Sequence, residues 1–118
     1  MTRKMNPEVK KLWVEALRSG KYKQGHNQLR DDENQFCCLG VLCNLHAQAH
    51  PEIAARQKDP TAYLHEREFL PTQVMEWADM EYDDGTFTNE AGGIMSLAGL
   101  NDEGRTFRYL ANRIEKYL

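Results

Sequence analysis

Apolar residues recur at helical spacing at both ends of this chain and lose that rhythm through much of its middle. Near the start, Val9, Leu12, Trp13, Ala16 and Leu17 repeat as i, i+3, i+4, i+7 and i+8, the pattern of a helix with one face on a core. Asn6 can cap its free N–H groups, Pro7 suits the first helical position, and Gly20 supplies the stop. At the far end Phe107, Leu110, Ala111, Ile114 and Leu118 trace a second such face, after a turn at Asn101, Asp102, Glu103 and Gly104.

Between these ends the pattern predicts shorter elements. The runs Gln28–Arg30 and Gln35–Cys38, separated by Asp31, Asp32, Glu33 and Asn34, read as a β-hairpin. A helix should begin near Leu39, with Cys38, Leu42, Leu45 and Ala49 on one face, and Pro51 must end it. Gly40 in its first turn allows close backbone packing, the commoner reading, or close approach of an anion to the helix N-terminus. Residues 51–68 are polar and poorly periodic, so a variable surface loop is expected, with a strand around Tyr63–His65. A short helix over Pro71–Ala78 places Leu70, Val74 and Trp77 on one side. Asp83, Asp84 and Gly85 then turn the chain into a strand at Thr86–Thr88. Beyond the loop Asn89–Gly93, Ile94, Leu97 and Leu100 return to the core. The expected architecture is a small single α+β domain over residues 1–118, with about four helices packed on a short antiparallel hairpin or sheet.

A chain of 118 residues can bury one core without staples. Its longest apolar run, Cys37–Leu45, is far below the roughly 20 residues of a membrane span. Met1–Asn6 carries Arg3 and Lys4 but leads into an amphipathic segment, so no secretory signal is read there and a cytoplasmic location is expected. Three cysteines, two of them adjacent, predict free thiols.

The net charge of −3 hides an uneven distribution. Residues 1–30 hold eight Lys/Arg against two acids, residues 105–118 four against one, and residues 31–104 three against fifteen. The acidic middle would repel a nucleic-acid backbone, whereas packing it against the basic ends would neutralise both. A DNA-binding reading through Arg105, Arg108, Arg113 and Lys116 is therefore disfavoured.

Several residues can carry chemistry. Arg18, Lys21, Lys23 and Arg30 cluster around the end of the first helix and the hairpin, where they can grip a phosphate or carboxylate. With the Asn101/Asp102 turn they form the expected ligand-binding set: Arg18, Lys23, Arg30, Asn101 and Asp102. Cys38, just before a helix, is the alternative nucleophile of a Cys/His hydrolase or transferase acting on a nucleotide. Cys43, His46 and His50 fall at i, i+3 and i+7, an alternative metal set, although buried structural thiols explain the same run. Asp31/Asp32 and Asp83/Asp84 sit at turns, where Asp caps its own backbone. Gly25, Gly92, Gly93 and Gly99 lack the strand-to-helix context of a phosphate loop. No cofactor is called for.

The segments LWVEALRSGKYKQG at 12–25, LR at 29–30, FCCLGVLCNL at 36–45, LPTQVMEWA at 70–78 and SLAGLNDEGRTFRYLANRIE at 96–115 resemble a widespread family of small uncharacterised bacteriophage and prophage proteins. The resemblance implies origin in a mobile element. By analogy with small phage accessory proteins it suggests stoichiometric binding of a host protein or of a nucleotide signal made by a host defence system, a counter-defence role without catalysis. A polar, arginine-lined concavity would favour the small anionic ligand, and an exposed apolar patch around Trp77 and Met80 the host protein. The amphipathic helices can be satisfied within one chain or in a homo-oligomer.

Overall fold

The computed structural model describes residues 4–118; Arg3, counted above with the basic N-terminus, lies outside them. Six helices and two two-stranded sheets make an α+β fold that is mostly helical: α1 Pro7–Arg18, β1 Lys23–Gln24, β2 Gln35–Phe36, α2 Cys38–Ala49, α3 Pro51–Ala54, α4 Thr72–Ala78, β3 Thr86–Thr88, β4 Ile94–Ser96, α5 Leu97–Asp102 and α6 Phe107–Tyr117.

Helix α1 begins as its sequence demands. The Asn6 side chain accepts from the N–H groups of Glu8 and Val9, and Pro7 occupies the first position. Its buried face is Val9, Trp13, Val14 and Leu17, whereas Leu12, expected on that face, is exposed. The stripe is rotated because α1 packs on both α2 and α6. Helix α6 is capped by Thr106, whose hydroxyl accepts from Tyr109 N–H, and buries Phe107, Leu110, Ala111 and Ile114 as predicted. The N–H of Met5 donates to the carbonyl of Leu118 at 3.2 Å, so the two ends of the fold lie side by side.

Helix α2 runs through the centre. Its first six residues, Cys38–Cys43, are all buried, which explains a nearly unbroken apolar run in place of a stripe. Ala49 lies exposed rather than on the buried face, which passes instead through His46. All three cysteines are free and buried. Gly40 is required by contact: a Cβ on it would lie 1.7 Å from the carbonyl oxygen of Leu29.

The expected hairpin survives only at its turn. Asp31 accepts from the N–H groups of Glu33 and Gln35, and a single antiparallel bridge joins Arg30 to Phe36. Cys37 N–H to the Leu29 carbonyl and Asp31 N–H to the Gln35 carbonyl make that bridge, and the ladder goes no further because the Leu29 N–H donates to the carbonyl of Arg67. Strand β2 instead pairs in parallel with β1, with Lys23 opposite Gln35 and Gln24 opposite Phe36. The antiparallel sheet is β3–β4, with Phe87 opposite Met95. Ile94 does not return to the core; it is 78% exposed on β4, and the chain re-enters only at Leu97. The 51–68 stretch opens with the single turn of α3 and carries a tight Tyr63–Glu66 bridge in place of a strand, with Tyr63 itself buried.

Among the described residues, no helix is long and apolar enough to cross a membrane.

Candidate functional site

Asn101 is the best-connected side chain of the expected ligand set, and it is completely buried. Its Oδ1 accepts from Gln24 Nε2 at 2.9 Å and from the N–H of Cys38 at 3.2 Å, while its Nδ2 donates to the carbonyl of Gly25 at 2.9 Å. One amide thereby satisfies β1, the start of α2 and its own α5, and replaces the water these backbone groups would otherwise need. Asp102 extends the network outward by accepting from the N–H of Asn27 at 2.8 Å.

The other expected residues are not brought to one cavity. Arg18 spans from α1 to α6, donating to Asn112 at 2.7 Å and to both carboxylate oxygens of Glu115 at 3.1 and 3.2 Å. Arg30 donates to Asn34 and lies over the ring of Phe36 at 5.1 Å, beside a small cavity against α2. Asp102 lines a separate hollow with Cys37 and Phe69, and Lys23 is exposed on β1.

One of them does line a sizeable groove. Between the end of α1, β1 and the start of α6 lies a cavity of about 530 Å³ whose floor includes Leu17, Tyr22 and Phe107. Arg18 and Arg108 stand on its walls, with Gln24, Thr106 and Asn112 as polar contacts. The sequence presents Arg108 only as a DNA contact, and Tyr22, Thr106, Phe107 and Asn112 carry no local signal of a site. The capping threonine announces the start of α6, but nothing local in the sequence says that this start faces the end of α1.

The alternative centres are placed as follows. Cys38 is buried, its Sγ faces the carbonyl of Leu97 at 3.7 Å, and burial pushes its thiol well above the ordinary range. Cys43 is shifted the same way, and Cys37 is pushed up to about 11 by burial. A thiolate nucleophile needs the opposite shift. The histidine on the same helix, His46, is eight residues on, roughly 12 Å along the axis. Its Nδ1 is 2.6 Å from the hydroxyl of Tyr63, its ring stacks on His50 at 4.1 Å, and Trp77 meets it edge-on. His50 Nδ1 in turn bonds the carbonyl of His46. Cys43, His46 and His50 do not converge as metal ligands: among the described residues no three His, Cys, Asp or Glu side chains form a group that could hold an ion. Trp77 is thus half-buried against the histidines and Met80 is buried, so the apolar patch considered for a protein partner is not displayed.

Among the described residues the ion pairs are Arg18–Glu115, Arg67–Asp59 and Lys116–Glu90, of which only the last joins an end to the middle.

No curated protein and no solved structure matches the chain. One family model does, over residues 5–118, and its description is Domain of unknown function (DUF8296).

Proposed function

Since the chain belongs to the DUF8296 family, whose description assigns no chemistry, its role is to be read from its own surface, and we propose that it is a non-enzymatic protein that binds a small anionic, nucleotide-like ligand in the groove between α1 and α6. The observation that carries this reading is that Arg18 of α1, held by Asn112 and Glu115, and Arg108 of α6 both line one cavity of about 530 Å³ that Leu17, Tyr22 and Phe107 also line. Guanidinium groups suit planar, bidentate recognition of phosphate or carboxylate. The volume falls within the usual range of small-molecule sites, roughly 300–1,000 Å³. Tyr22 and Phe107 offer contact to a flat ring; Gln24 Nε2 donates to Asn101 and the Arg105 carbonyl and Asn112 Oδ1 accepts from Arg18, so it is Gln24 Oε1 and Asn112 Nδ2 that serve its polar edge. The high thiol pKa values of Cys37, Cys38 and Cys43 support binding over covalent catalysis.

The setting proposed with it is that of a phage or prophage accessory protein acting by stoichiometric capture in the host cytoplasm, which the sequence segments at 12–25, 29–30, 36–45, 70–78 and 96–115 support by resemblance. Counter-defence is the role that follows, the ligand being a nucleotide signal.

Calorimetry and thermal shift against mononucleotides, cyclic oligonucleotides and ADP-ribose derivatives test the reading, with mass analysis of each mixture. Saturable binding without turnover, weakened in Arg18→Ala and Arg108→Ala, is expected. Turnover of any compound would overturn the non-enzymatic reading. Silence across the series, together with retention of a host protein in a pull-down, would move the activity to a protein partner.

A further inference from the structure

The stretch from 31 to 104 holds only three Lys/Arg, and all three, Arg56, Lys58 and Arg67, fall within twelve residues of one another. Arg56 and Lys58 line one cleft of about 480 Å³ between α3 and the loop that follows it, and His65 is a third basic side chain on its wall. Its apolar lining comes from Ile53, Tyr63 and Leu64. The cleft lies away from the α1–α6 groove and shares no lining residue with it.

The loop is held in shape by contacts of its own. Arg67 donates to Asp59 at 2.6 Å and to the hydroxyl of Thr61 at 2.7 Å, and Gln57 Nε2 donates to the carbonyls of Asp59 and Ala62. Asp59, the one carboxylate lining the cleft, also accepts from the N–H and hydroxyl of Thr61. Its charge is therefore engaged within the loop, whereas no ion pair among the described residues engages Arg56 or Lys58. The ring of Tyr63 is fixed from behind by the bond from its hydroxyl to His46.

The turn that delivers Leu64 and His65 is made at a cost. Tyr63 and Glu66 exchange both backbone hydrogen bonds, at 2.8 and 2.9 Å, around a two-residue connection with Leu64 at φ 49° and His65 at φ 73°. Such a tight turn, left-handed at both central positions, favours Asn-Gly, and a leucine there is strained. Strain of this kind is kept where side chains are needed in a particular place. Here both strained residues line the cleft.

We propose that this cleft is a second binding site, one that takes a small planar organic anion, its flat body lying against Tyr63, Leu64 and Ile53 and its charge met by Arg56, Lys58 and His65. The probes that test this are 1-naphthalenesulfonate, adenosine 5′-monophosphate and inorganic phosphate, added to ¹⁵N-labelled protein while backbone amide shifts are followed. Saturable shifts over residues 53–66 with the first two are expected, and weaker shifts with phosphate, which has the charge without the body. The exposed double variant Arg56→Ala/Lys58→Ala should lose about tenfold or more in affinity while keeping its fold. His65→Gly separates the turn from its side chain: relief of the left-handed strain should raise the melting temperature, and loss of the imidazole should weaken binding. Shifts confined to the α1–α6 groove would overturn the proposal and leave the groove reading standing. So would affinities at 53–66 that are unchanged in both variants.

Discussion

Asn101 and Cys38 lie 63 residues apart in sequence, yet the side-chain oxygen of one accepts the backbone N–H of the other at 3.2 Å in a fully buried environment. An N–H in the first turn of a helix has no intrahelical acceptor, so α2 can start inside the core only because α5 supplies one. Replacing Asn101 with Ala strands this N–H and the carbonyl of Gly25, and leaves Gln24 Nε2 with only the Arg105 carbonyl of its two acceptors. Urea unfolding should show a loss of about 3 kcal/mol or more. A loss below about 1 kcal/mol would mean that these groups find water, and that the amide is not the hub.

Gly40 and Gly20 make an opposed pair. At Gly40 an added Cβ meets the backbone of Leu29 at 1.7 Å, and neither side can yield without moving α2. Gly40→Ala should therefore fail to fold or lose more than about 3 kcal/mol. Gly20 has φ 76° with open space around it, so Gly20→Ala should cost only about 1 kcal/mol of conformational strain. Equal effects in thermal unfolding would show that the close approach of Leu29 is not rigid.

Acid should weaken the fold through His46. Burial, then the neighbouring charge of His50, lowers its pKa from 6.5 to about 4, against an opposing pull from Glu52. A base whose folded pKa is depressed stays neutral in the native state while the unfolded chain takes up a proton. The stability it protects is complete above pH 6.5 and is lost progressively as pH falls toward about 4. Tyr63, His50 and Trp77 pack on the ring and the Glu52 carboxylate acts on it, so His46→Gln should flatten the pH dependence across this window. An identical slope in the variant would place the acid sensitivity in other groups.

The thiols should be unreactive in the folded protein. Burial raises all three, Cys37 to about 11. Thiol-reactive dye at pH 7.5 should label none of them on the timescale that labels all three in denaturant. Rapid, selective labelling of Cys38 would falsify this and revive a cysteine-based mechanism.

Arg18→Ala tests whether binding and folding separate. Its bridge to Glu115 is solvent-exposed, and such pairs contribute little to stability. The variant should keep nearly the parent melting temperature while losing ligand in the groove. A large drop in melting temperature would make the arginine structural first.

Local signals carried much of the fold. The Asn6–Pro7 start of α1, the Thr86–Thr88 strand and the face of α6 were legible because caps, turn residues and apolar periodicity act over a few residues. The parallel pairing of β1 with β2 was not, because Lys23–Gln24 carries no periodic signal of its own and its partner strand lies twelve residues on. The exposed Leu12 and Ile94 were misplaced for a related reason: apolar character shows that burial is possible, and the packing partner decides it. For the candidate site, Arg18 was found through its charge, but its counterpart Arg108 belongs to a helix 90 residues away. Asn101 is read from sequence as a ligand contact, and the fold shows partners within the protein itself, the backbone of Gly25 and Cys38 and the side chain of Gln24.

The bond between Met5 N–H and the Leu118 carbonyl brings the two ends of the described fold together. The α1–α6 interface, formed between the most distant parts of the sequence, would become a local contact if a short linker joined those ends. A circular permutant reopened at the exposed Ala54–Ala55 bond should therefore retain the fold. It should also fold faster than the parent, since its largest loop closure would already have been made by a covalent bond.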